Sequence, residues 1–213
     1  MKRISFAFLM AFHGLITKAQ PNILLVIADD MGLDPVPGYL PGPQKASMPN
    51  LEALMASGLT FDNVWAEPLC SPTRSTVITG RYGFRTGVLN PGDLSLLPPD
   101  EVTLHRYLND INSGYASALI GKWHLGGSQP DPAYPNLMGV PHYAGLLAGA
   151  VNSYSNWPLT INGSTSPSSE YITTKLTDLA IDWITQQSEP WFCWLAYNAP
   201  HTPLHLPPLD MHS

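Results

Sequence analysis

Seven side chains in this sequence combine carboxylate, thiol, cation and imidazole at positions where chemistry is often found. Asp29 and Asp30 stand side by side after the apolar run 22–28, and paired carboxylates offer the hard oxygen donors that suit Ca²⁺ or Mg²⁺. Cys70 precedes Pro72, a residue favoured in the first turn of a helix, and Arg74 follows one helical turn on. That spacing places a thiol and a guanidinium in the positive field of a helix N-terminus, where a thiolate or a bound oxyanion is favoured. Lys122 and His124 follow a second apolar run, and His201 follows a third. Singly, each has an ordinary reading: a polar turn for Asp29-Asp30, a solvated loop for Lys122 and His124, a surface histidine between Pro200 and Pro203.

The elements that would bring these residues together can be read from hydrophobic periodicity. The run 22–28 (NILLVIA) predicts a strand buried on both faces of a parallel sheet. Residues 49–58 predict a short helix with Leu51, Leu54 and Met55 on one face, and 59–65 alternate as a half-buried strand would. A helix follows the Cys70 loop, opening about Pro72 and ending at Thr79 before Gly80. Thr103 caps a helical pattern of Leu104, Leu108 and Ile111 that stops at Gly114, and 115–120 reads as a strand. Residues 170–187 resume helical spacing through Leu176, Leu179, Ala180, Trp183 and Ile184, and 191–197 (WFCWLAY) is another buried strand. The stretch 128–169 shows no sustained period and reads as a long excursion over the site. Helices alternating with apolar strands predict an α/β fold, a mostly parallel sheet sandwiched by helices. Three of the strands end in the polar groups named above, and ligands of such sheets bind beyond the carboxyl ends of strands.

The segment Cys70-Ser71-Pro72-Thr73-Arg74, followed by a helix that ends in Thr79-Gly80-Arg81, resembles the signature of the formylglycine-dependent sulfatases. These belong to the alkaline-phosphatase-like superfamily. The Asn-Ile-Leu opening with Asp29-Asp30, then Gly121-Lys122-Trp123-His124, then Ala199-Pro200-His201 with Pro203 fall in that family's order. The resemblance implies that Cys70 is the precursor of formylglycine, made by a maturation enzyme. One hydroxyl of the hydrate would attack sulfur and the other would allow sulfate to be expelled. It implies that Asp29, Asp30 and the Cys70-derived group hold Ca²⁺, or Mg²⁺, and that Arg74 and Lys122 offset developing charge. It further implies that His124 moves protons near the hydrate and that His201 serves the leaving alcohol. The substrate would be a small-molecule or carbohydrate sulfate ester. Relatives with the same core act on phosphonate monoesters or phosphodiesters, and an inactive module that binds sulfated ligands is a third reading.

Composition narrows the partners. The chain has 213 residues, 44% hydrophobic and 12% charged, with a net charge of −6 and only 10 Lys+Arg, so it lacks the basic stripe that nucleic-acid binding needs. Residues 1–19 read as a signal peptide: Lys2 and Arg3, then an apolar run too short to span a bilayer, then Thr17-Lys18-Ala19. Export to the periplasm or exterior is expected, with 20–213 as one catalytic domain. Export also permits a disulfide between Cys70 and Cys193, but Cys193 sits mid-strand where a buried thiol is common. Thr73 stands where Ser is the more usual family residue. The resemblance also implies an Asp-Asn or Asp-Gln metal pair and a further lysine beyond the His201 motif, and nothing before Ser213 resembles them. The expectation is an incomplete domain: a weak metal site, feeble hydrolysis and an uncovered sheet edge.

Overall fold

The computed structural model describes residues 20–39 and 44–211. The predicted leader at 1–19 lies outside them. Strand β1 (Ile23–Asp29) leads to helix α1 (Pro49–Ser57), helix α2 (Cys70–Thr79), the single turn α3 (Gly83–Thr86), helix α4 (Leu104–Asp110) and strand β2 (Ala116–Gly121). There follow the single turn α5 (Tyr134–Leu137), strands β3 (His142–Gly145), β4 (Trp157–Ile161) and β5 (Ser164–Ser168), helix α6 (Ile172–Thr185) and strand β6 (Trp191–Pro200). The six strands form one sheet in the order β1-β6-β2-β3-β4-β5. The first four in that order run parallel, and β4 and β5 form an antiparallel hairpin on the far side.

Strand periodicity sorts the core into two layers. Ala118 and Ile120 of β2, with Cys193 and Leu195 of β6, face Leu176 and Ala180 of α6. Leu119, Phe192, Trp194 and Ala196 point the other way and pack with Ile78 of α2. Helices thus cover both faces of the sheet centre, as the alternating pattern predicts. Each fully buried Leu or Ile there stabilises the fold by about 1.5–3 kcal/mol. Thr103 caps α4, its hydroxyl accepting from Arg106 N at 3.1 Å. Gly80 closes α2 in the left-handed conformation and donates to Thr76 O at 2.8 Å.

Four expectations change. β1 is an edge strand: Leu25 and Ile27 pack on the core while Leu24 and Val26 are half exposed, because α6 packs on β6, β2 and β3. Residues 59–65 form no strand, since no neighbour offers them a ladder among the described residues, and Leu59, Phe61, Val64 and Trp65 are exposed. α1 buries none of its residues. The stretch 128–169 is not one loop but contains α5, β3, β4 and β5. Its strands escape periodicity because β3 has four residues, β4 contains Pro158 and β5 is Ser-Thr-Ser-Pro-Ser.

Candidate active site

Because β1, β6 and β2 are parallel neighbours, their carboxyl ends share one edge of the sheet. β1 ends on Asp29, β2 runs into Lys122, and β6 runs into His201. The N-terminus of α2 brings Cys70 and Arg74 to the same edge. Gly121 is required there, since a Cβ on it would fall 1.9 Å from the carbonyl oxygen of Ala196. The Gly-Lys-Trp-His turn can therefore leave β2 only with glycine at its head.

At the floor of the cleft lies a buried charge cluster. The Lys122 ammonium, fully buried, donates to Oδ2 of Asp29. Nη2 of Arg74 lies 3.4 Å from Oδ1 of the same carboxylate, and Nη1 donates to Lys122 O at 2.7 Å. Burying an unpaired ammonium or guanidinium costs several kcal/mol, and Asp29 is the partner that offsets it for both. Burial lowers the Arg74 pKa, and Asp29 opposes that shift. Arg74 Nε is buried with no partner among the described residues, and α2 begins with no side-chain cap on its N-terminal N–H groups. Those orphan donors and the helix dipole favour an anion beside Cys70.

The two histidines occupy contrasting surroundings. His124 Nδ1 lies 3.2 Å from Cys70 Sγ, in a backbone conformation with φ +53°. Burial, then the Lys122 and Arg74 cations, push its pKa down to about 3, so the ring is neutral at pH 7. His201 Nδ1 lies 2.9 Å from Thr202 O, and its Nε2 lies 3.5 Å from Asp30 Oδ2. Both nitrogens thus face oxygen acceptors. One imidazole lies against Cys70 and the other against Asp30.

Cys70 is a free, partly exposed thiol and Cys193 a free, buried one, so no disulfide joins them. Cys70, Asp29, Asp30, Thr73 and Arg74 line a cavity of about 280 Å³ with residues 66–69. Among the described residues no group of three or more His, Cys, Asp or Glu side chains is placed to hold a metal. Asp29 and Asp30 remain adjacent carboxylates, with Asp30 largely exposed and in a left-handed conformation at φ +64°. They fit part of a hard-cation shell, since calcium takes ~6–8 oxygens.

Two residues with no sequence signal join the site. Tyr154 donates its hydroxyl towards Asn198 O at 3.1 Å and His201 O at 2.5 Å, pinning the turn that carries His201. Asn198 is buried within that turn. Tyr154 comes from the aperiodic stretch 128–169, and only a tertiary contact gives it this task.

Fold and site define the class as α/β proteins of the alkaline-phosphatase-like architecture. The chain belongs to the sulfatase family, whose sequence profile matches residues 21–209. It is similar to mouse (Mus musculus) arylsulfatase J, 30% identical over 91% of this chain and 35% of that protein. Among solved structures it resembles Ps i-CgsB in complex with k-i-k-neocarrahexaose, with a TM-score of 0.77 and 31% identity over 90% of this chain and 48% of the other. A second is a protein bound to its substrate D-glucosamine-2-N,6-O-disulfate, with a TM-score of 0.67 and 27% identity over 85% of this chain and 35% of the other. The chain thus spans about a third to a half of the length of these relatives.

Proposed function

We propose that this chain carries the nucleophile side of a sulfate-ester hydrolase site, with Cys70 matured to formylglycine by a dedicated enzyme and a Ca²⁺ or Mg²⁺ ion held in part by Asp29 and Asp30. The observation that carries the reading is the meeting of Cys70, Arg74, Lys122, Asp29 and His124 in one buried cleft. Formylglycine would supply a hydrated aldehyde as the nucleophile, and a bound cation would supply Lewis-acid polarisation.

The chain's own residues bind and move protons. The α2 N-terminus and the unpartnered Nε of Arg74 receive sulfate oxygens, and Lys122 adds positive charge from below. His124, against position 70, moves protons there. His201, opposed to Asp30 and partly buried, gives a proton to the departing alcohol oxygen. The substrate class is a sulfated carbohydrate or a small sulfate ester, a choice supported by the ligands of the two solved relatives. Residues 1–19 direct export, giving a secreted or periplasmic protein. No helix among the described residues is long and apolar enough to cross a membrane.

The test is turnover of aryl sulfate and aryl phosphonate in parallel by formylglycine-bearing protein, with Cys70→Ala as control. Sulfate turnover that disappears in the control supports the proposal. Preferred phosphonate turnover, or sulfate turnover unchanged in the control, overturns it.

A further inference from the structure

The His124 ring has a close neighbour besides Cys70. A Cβ placed on Gly149 would lie 2.3 Å from Cε1, 2.4 Å from Nε2 and 2.8 Å from Nδ1 of His124. Three ring atoms at such distances mean that the ring lies against the main chain at 149, in space that any other residue would fill. The φ of Gly149 is not positive, so its backbone conformation is open to L-residues. The three heavy atoms nearest to that Cβ all belong to the imidazole.

The segment is also tied in register with the histidine. Trp123 N donates to Leu146 O at 2.9 Å and His124 N to Leu147 O at 3.0 Å, while Leu146 N donates to Gly121 O at 3.2 Å. These bonds clamp the strand end that carries His124 to the stretch leading from β3 into residue 149. His124 itself holds φ +53°, a conformation that costs a non-glycine residue about 1–3 kcal/mol and persists only when its surroundings enforce it.

We propose that Gly149 is a positioning residue for His124, its missing side chain being the space in which the imidazole lies against Cys70. This rests on the role given to His124 above and assigns a task to the stretch between β3 and β4. A methyl group at 149 would have to push the ring about 1 Å to reach ordinary contact, a misplacement sufficient to cost about 10²-fold in a positioned reaction.

The test uses the unmodified full chain, in which Cys70 is still a thiol, and measures the rate at which iodoacetamide alkylates it. Four proteins are compared: wild type, Gly149→Ala, His124→Ala and the double variant, with Cys70 and the buried Cys193 distinguished by peptide mass. The ring contacts the thiol directly, Nδ1 lying 3.2 Å from Sγ, so His124→Ala should change the alkylation rate at least about 3-fold. Gly149→Ala should change it in the same direction as His124→Ala does, and in the His124→Ala background should change it by less than about 1.5-fold. Wild-type rates in either single variant, or effects that multiply in the double variant, would overturn the inference.

Melting temperatures give a second readout if Gly149→Ala folds poorly. The substitution should destabilise the wild type and not the His124→Ala protein, in which the obstructing ring is gone. Equal destabilisation in both backgrounds would overturn the inference. Neither measurement involves a sulfate ester, so failure of the sulfatase reading leaves both rates and melting points as predicted.

Discussion

The Lys122 ammonium donates to Oδ2 of Asp29 across the end of β6, although 93 positions separate the two residues in sequence. Asp29 is the counter-charge that makes a fully buried lysine tolerable at the floor of the cleft. Lys122→Met removes the cation and leaves the buried carboxylate with Arg74 alone. Breaking a buried pair from one side destabilises by about 3–5 kcal/mol, and the remaining guanidinium puts the expectation near the lower end. Urea unfolding at pH 7 measures it. A loss under about 1 kcal/mol would mean that the pair contributes little to the fold.

His105 of α4 gives a pH dependence with a definite sign. Its ring is fully buried, Nε2 lies 3.2 Å from Ala118 O, and burial lowers its pKa to about 4 from 6.5. The unfolded chain therefore takes up a proton below pH 6.5 that the folded chain refuses until about pH 4. The stabilising contribution is present above pH 6.5 and is lost as pH falls towards 4, amounting to about 2 kcal/mol at pH 5. His105→Phe removes the titrating group beside Phe192, and should flatten the stability profile between pH 7 and 5 by that amount. Parallel profiles for wild type and variant would contradict the assignment.

Tyr154→Phe keeps the ring and removes the hydroxyl that reaches Asn198 O and His201 O. The expected cost is about 1–2 kcal/mol in stability. Amide exchange should quicken at His201, whose N–H is bonded to Asn198 O within that turn. Unchanged exchange at His201 would show that Tyr154 does not hold the turn.

The strand ends were legible in the sequence because each core strand is an apolar run stopped by a charged or imidazole side chain. Asp29, Lys122 and His201 could therefore be assigned to one edge before any contact was known. The Cys70–Arg74 spacing likewise specified one turn of helix. What cannot be read is pairing: the resemblance implies a metal for Asp29 and developing charge for Lys122, and only the structure shows that the two also pair with each other. The exposed face of β1 was missed because Ile-Leu-Leu-Val-Ile reads alike in a central strand and at an edge. The β4–β5 hairpin had one available signal, Asn162-Gly163, both with positive φ, the composition of a tight two-residue turn. Tyr154 and Gly149 carry no local pattern, since their tasks arise from contacts with residues 47 and 25 positions away.

Arg74→Ala, in formylglycine-bearing protein that turns over aryl sulfate, should lower kcat by about 10²–10³-fold if the guanidinium is a preorganised charge stabiliser. Arg74→Lys should not restore the rate, because an ammonium cannot reach both Asp29 Oδ1 and Lys122 O as the fork does. Near-normal turnover in either variant would remove Arg74 from the chemistry.

All of the proposed chemistry depends on position 70 becoming the nucleophile of a sulfate-ester hydrolase. Peptide mass spectrometry across residue 70, on protein made alongside a formylglycine-generating enzyme and fractionated by aryl-sulfate turnover, tests it most directly. The aldehyde at 70 is expected in proportion to activity across the fractions. Active fractions in which residue 70 is wholly unmodified cysteine, or is bridged to Cys193, would contradict it.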